Sequence, residues 1–72
     1  MNEFVIDYTL KDFYDDDKFA QYIKIGKIRE CQEKGYTQKQ TLEVVNHELQ
    51  LEGYEPTNLS VVKYYWKPKN KR

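Results

Sequence analysis

The chain has little of what most chemical sites are built from. It contains one cysteine, Cys31, and one histidine, His47. No internal disulfide can form, and these two residues alone cannot assemble a zinc finger. A single cysteine suits a reducing compartment. No apolar run exceeds three residues, Phe4-Val5-Ile6 being one of the longest, so a transmembrane span and a signal-peptide core are both excluded. The expected location is the cytoplasm, with no membrane partner. There is no glycine-rich loop and no cluster of metal-ligand types. The expectation is therefore a protein that is not an enzyme and uses no cofactor and no metal.

What is present is small and unevenly charged. Seventy-two residues make one domain at most, and a chain of this size buries only about 60% of its unfolded surface. Association into a homodimer is the obvious way to enlarge such a core. The formal net charge is zero, yet residues 1–22 carry six acids and two lysines, a balance of −4. Residues 23–72 carry ten bases and six acids, a balance of +4. Five of those bases, Lys63, Lys67, Lys69, Lys71 and Arg72, fall in the last ten residues with no acid among them. A basic end of this kind is the footprint of a phosphate-binding surface, or else a solvated tail that aids solubility.

Residues 4–10 alternate, with Phe4, Ile6, Tyr8 and Leu10 on one side and Val5, Asp7 and Thr9 on the other. Period two predicts a strand or extended arm that pairs across a dimer or folds back on the rest of the chain. Asp15, Asp16 and Asp17 then stand where an N-cap and first-turn acids favour a helix. Metal binding by this run is the alternative, disfavoured because consecutive side chains diverge. The first helix is predicted over about residues 17–34, with Phe19, Tyr22, Ile23, Ile25 and Ile28 apolar. Gly26 in its middle costs roughly 1 kcal/mol against alanine, so it marks a close helix contact or a bend.

Gly35 ends that helix in the left-handed conformation that glycine tolerates. Thr37 and Gln40 form a capping-box pattern that opens a second helix over about 38–52. Leu42, Val45 and Leu49 make its buried stripe, and His47 falls on the opposite side, which argues against a Cys31–His47 catalytic dyad. Gly53 closes this helix. Thr57 is expected to cap a third helix over about 58–67, stopped by Pro68. In that helix Val61, Tyr64 and Tyr65 are read as core, Ser60, Lys63 and Lys67 as the polar face, and Leu59, Val62 and Trp66 as the flank. The expected core is Ile28, Leu42, Val45, Leu49, Val61 and Tyr64 or Tyr65.

The residues Ile28-Arg29, Gly35-Tyr36-Thr37, Leu49, Gly53-Tyr54 and Ser60-Val61-Val62-Lys63-Tyr64-Tyr65 resemble small phage- and plasmid-encoded helix-turn-helix proteins. The DNA-binding tails of large serine recombinases look similar. The resemblance covers about residues 28–67. The acidic, aromatic arm has no counterpart in that pattern, and the second helix is longer than in a minimal helix-turn-helix. The resemblance implies a helix-turn-helix, and with the patterns read above the expected fold is mainly α, a three-helix bundle with a helix-turn-helix plus an extended N-terminal arm or short strand. It divides into an arm (1–16), a helical domain (17–67) and a basic tail (68–72).

The implied partner is double-stranded DNA, and the implied role is that of a transcriptional regulator or accessory DNA-binding factor. Ser60 and Lys63 fall where recognition-helix contacts occur in the pattern. With Thr57 and Asn58 at the helix start, and Lys67, Lys69, Lys71 and Arg72 on the backbone, they form the candidate DNA-binding set.

Two other readings stay open. Tyr64-Tyr65-Trp66 beside lysines could stack the bases of a single strand, although the spacing favours core packing for the tyrosines, with Trp66 a rim residue or an exposed anchor. Alternatively the chain is a protein-binding inhibitor of a host protein. The arm from Phe4 to Asp17 would then be its working surface, and its Tyr8, Phe13 and Tyr14 with Asp12, Asp15, Asp16 and Asp17 could also imitate nucleic acid toward a basic partner.

Overall fold

A computed structural model describes residues 4–66. Its elements are a 3-10 turn at Tyr8–Asp12 and three helices, α1 (Asp16–Glu33), α2 (Gln38–Leu51) and α3 (Leu59–Tyr65). The fold is mainly helical, a three-helix bundle with no strand among the described residues.

Local chemistry sets the helix ends. The Asp15 carboxylate accepts the Lys18 amide at 2.8 Å, and Asp16 and Asp17 occupy the first turn of α1. At the start of α2 the capping box is complete. The Gln40 amide donates to Thr37 Oγ1 at 3.1 Å, and the Thr37 amide donates to Gln40 Oε1 at 3.0 Å, satisfying two orphan donors at once. Gly35 and Gly53 adopt φ of 87° and 84°. Behind each, the tyrosine amide reaches back into the helix, Tyr36 to the Cys31 carbonyl at 3.0 Å and Tyr54 to the Leu49 carbonyl at 2.8 Å. Each Gly-Tyr pair therefore closes a Schellman motif.

The core is Phe19, Ile23, Ile28, Val45, Leu49 and Val62, all at most 1% exposed, with Ala20 beside them. Helix α1 packs chiefly on α2, and α3 lies across both. The third helix corrects the expected core in two ways. Val62, assigned to the flank, is fully buried, whereas Val61 is half-buried and Tyr64 is 80% exposed. Leu59, Tyr65 and Trp66 accompany Val62 as partly buried neighbours of the core. The two candidate stripes share helical spacing and lie about 100° apart, so periodicity alone does not choose between them. Trp66 is a rim residue.

The cap of α3 is also one residue later than expected. Asn58 Oδ1 accepts the Val61 amide at 3.2 Å, while the Thr57 amide donates to Asn46 Oδ1 of α2 at 2.8 Å. Helix α3 ends at Tyr65, short of the expected residue 67.

The arm is not a strand. Asp7 caps the 3-10 turn, its carboxylate taking the Thr9 amide at 3.1 Å and the Thr9 hydroxyl at 2.6 Å. A strand with no neighbour leaves its amides and carbonyls unpaired. Local turn bonds satisfy them instead, with the Phe13 and Tyr14 amides both donating to the Leu10 carbonyl at 2.9 Å.

The arm folds back on the helices, the second of the two outcomes expected for it. The Tyr22 hydroxyl accepts the Asp7 amide at 2.8 Å, and the Tyr8 hydroxyl donates to Glu52 Oε2 at 2.6 Å. That bond holds the Tyr8 phenol proton above its ordinary pKa. The Phe4 ring meets Tyr22 edge-on at 5.4 Å and occupies the space a Cβ on Gly26 would need. Gly26 thus admits the arm rather than a second helix.

Glu30 ties these parts together. It is buried, and burial alone would push its carboxyl pKa up. Lys27 at 3.2 Å, the Phe4 backbone amide and Lys34 at 3.4 Å outweigh that and hold it below the usual range. A second contact runs from Lys27 to Glu48 of α2 at 4.0 Å.

Candidate nucleic-acid interface

Because Val62 turns inward, the opposite side of α3 is left to solvent. It carries Ser60 and Lys63, both exposed, together with Tyr64 one helical turn beyond Ser60. The two predicted contact residues on this helix therefore share an open face. Tyr64, expected in the core, joins them there. Its ring is held edge-to-face against Tyr65 at a centroid distance of 4.9 Å and an interplanar angle of 83°. The Tyr65 hydroxyl accepts the Gln21 amide group of α1 at 2.7 Å. An exposed aromatic is thus oriented from behind through a hydrogen bond to α1. Its signal in the sequence was available only by choosing the other stripe of α3.

Thr57 and Asn58 behave differently from the other candidates. The Thr57 amide bridges to α2, and the Asn58 side-chain oxygen serves as the helix cap. Both residues position α3 relative to α2. Lys67, Lys69, Lys71 and Arg72 lie outside the described residues.

A groove of about 390 Å³ runs between α1 and α3, bordered by Asp17, Lys24, Ser60 and Tyr64. The acids are not spread evenly around it. Asp16, Asp17 and Glu55 border the depression beside the Gly53–Pro56 turn, toward the start of α3, while Lys63 lies in its last turn. Burial, with Asp16 and Glu52 adding to it, pushes the Tyr54 phenol pKa up.

The other reactive residue types do not converge. Cys31 is buried, and that burial pushes its thiol pKa up. A thiol of that kind is not an activated nucleophile. His47 is exposed on α2, along a groove with Glu43, Asn46 and Gln50. Among the described residues no group of three or more His, Cys, Asp or Glu side chains could hold a metal ion. No described helix is long and apolar enough to cross a membrane. No family model, curated protein or solved structure matches the chain.

Proposed function

We propose that this chain is a cytoplasmic DNA-binding protein of the phage or plasmid helix-turn-helix type, a transcriptional regulator or accessory factor that binds duplex DNA as a homodimer. In this reading α2 and α3 are the helix-turn-helix, and α3 enters the major groove. The observation that carries it is the division of α3 into two faces. Val62 anchors one face in the core, and Ser60, Lys63 and Tyr64 are presented on the other. The Asn46–Thr57 hydrogen bond supports it further, since a reading helix must be held at a fixed angle to its partner. In this reading Ser60, Lys63 and Tyr64 meet base edges or phosphates, and Lys67, Lys69, Lys71 and Arg72 hold the backbone.

The test is fluorescence anisotropy against generic and selected duplexes over a salt series. Affinity should fall steeply with salt. Replacing Lys69, Lys71 and Arg72 with alanine should weaken binding to every sequence alike and flatten the salt slope by about one log-log unit per lost phosphate contact. Lys63→Ala should instead alter preference among sequences, by about 1–3 kcal/mol if it meets a guanine edge. Absence of binding at low salt would remove the proposal.

One observation favours a second reading, an inhibitor that docks on a host protein through the arm. Phe13 is 80% and Val5 75% exposed, in a segment that also carries Asp7, Asp12 and Asp15–Asp17. Loss of cellular activity on changing Tyr8, Phe13 and Tyr14, with DNA affinity untouched, would select it.

A further inference from the structure

A separate cleft of about 480 Å³ lies between the arm and the outer side of α1. Its walls come from Phe4 and Tyr14 of the arm and from a single stripe of α1: Lys18, Tyr22, Ile25 and Arg29. These four fall at i, i+4, i+7 and i+11, one continuous helical face. The middle of the stripe is apolar and half-buried, whereas Lys18 and Arg29 at its two ends are exposed. Among the described residues no carboxylate lines the cleft. The ion pairs among the described residues involve Lys27 and Lys34, not Lys18 or Arg29. Among the described residues, then, the cleft has an apolar floor with a cation at each end that forms no ion pair.

Length and charge narrow what fits. Lys18 and Arg29 stand eleven positions apart, about 16 Å along the axis at 1.5 Å per residue. A drug-sized ligand is too short to reach both ends. A second copy of this chain, paired along the same stripe, would set cation against cation whether parallel or antiparallel, and like charges across an interface are costly. Duplex DNA offers phosphates, but its backbone cannot cover an apolar floor. A helix of about three turns spans the distance and can bring both apolar anchors and carboxylates, as in helix-in-groove recognition.

We propose that this cleft seats an acidic amphipathic helix of a partner protein, its apolar anchors over Phe4, Tyr22 and Ile25 and its carboxylates on Lys18 and Arg29. The site is formed only when the arm is folded back, because Phe4 reaches it through the gap at Gly26. It is independent of the DNA reading, which rests on α3.

The experiment titrates the isotopically labelled full chain by NMR with a panel of synthetic helices carrying two glutamates eleven residues apart and leucine or phenylalanine between them. Control helices carry glutamine in place of both glutamates. Shifts should concentrate on Phe4, Tyr22, Ile25 and Gly26, and Lys63→Ala should leave them unchanged. Lys18→Glu and Arg29→Glu should each weaken binding by up to about fivefold, the size expected of a rim ion pair. Helices with lysine in place of glutamate should recover affinity for the doubly reversed chain. The proposal is overturned if glutamine helices bind equally well, if no helix of the panel shifts these residues, or if duplex DNA shifts them more than the helices do.

Discussion

Residues 38–66 and the N-terminal arm, residues 4–14, are held to the same helix by different physics. In the first, α2 and α3 bury Val45, Leu49 and Val62 completely against α1. In the second, no side chain is fully buried, and Val5, Tyr8 and Phe13 stay largely exposed. The arm is tied more by hydrogen bonds, from the Asp7 amide to Tyr22, from Tyr8 to Glu52 and from the Phe4 amide to Glu30, with aromatic contacts of Phe4 with Tyr22 and of Tyr8 with Phe19 and only partial burial of Ile6 and Leu10 against the core. Apolar burial supplies large, non-directional stabilisation, whereas solvent-accessible hydrogen bonds add little net energy and open easily. The difference predicts that the arm opens at a lower free energy than the frame of α1, α2 and α3.

Three substitutions sharpen that contrast, in descending order of effect. Leu49→Ala removes a fully buried side chain where α1 and α2 meet, and should cost about 2–5 kcal/mol in denaturant unfolding. In a domain this small that loss approaches total stability. A variant that melts with the parent would show that the core is elsewhere.

Glu30→Gln is the intermediate case, because it removes the carboxylate that joins Lys27, Lys34 and the arm. The expected cost at neutral pH is about 1–3 kcal/mol, the range for hydrogen bonds to a charged group. Its sign with pH is fixed by the lowered pKa. The folded carboxyl ionises below its ordinary value of 4.5, so the stabilisation is fully present above that value. It is lost as pH falls through the folded pKa. Unfolding measured across an acid series should show parent and variant converging as pH drops. A gap that stays constant into acid would mean that the charge of Glu30 contributes nothing.

Gly26→Ala should change global stability least. Helix propensity gains about 1 kcal/mol, and the displaced Phe4 ring offsets it. The readout is local, with proteolysis after Phe13 and Tyr14 expected to quicken while the melting curve barely moves. If cleavage proceeds at the parent rate, Phe4 is not what seats the arm, and the contrast between the two regions loses one of its ties.

Much of this fold is written locally. The Thr37–Gln40 capping box, the Asp15 cap, the two Gly-Tyr terminations and the buried stripe of α2 each involve residues within a turn or two of one another. A short stretch of sequence therefore contains all the partners needed to form them. The candidate interface was legible to the same extent. Ser60 and Lys63 lie on the open face whichever neighbouring stripe of α3 turns inward, so their exposure did not depend on the choice.

The alternation of Phe4, Ile6, Tyr8 and Leu10 was legible as a pattern, but not its outcome. Whether an alternating segment becomes a strand depends on a neighbouring strand to pair with, and none lies among the described residues. By itself, then, the sequence determined three capped helices, their approximate ends and the polar face of the last one, because these follow from hydrogen bonds and spacing within each segment. Tertiary structure alone decided that Val62 rather than Val61 enters the core, that Tyr64 stands outside, that Gly26 receives Phe4 and that Glu30 fastens the arm. Those outcomes depend on how one helix is rotated against another, and that rotation is set by contacts between residues far apart in the chain.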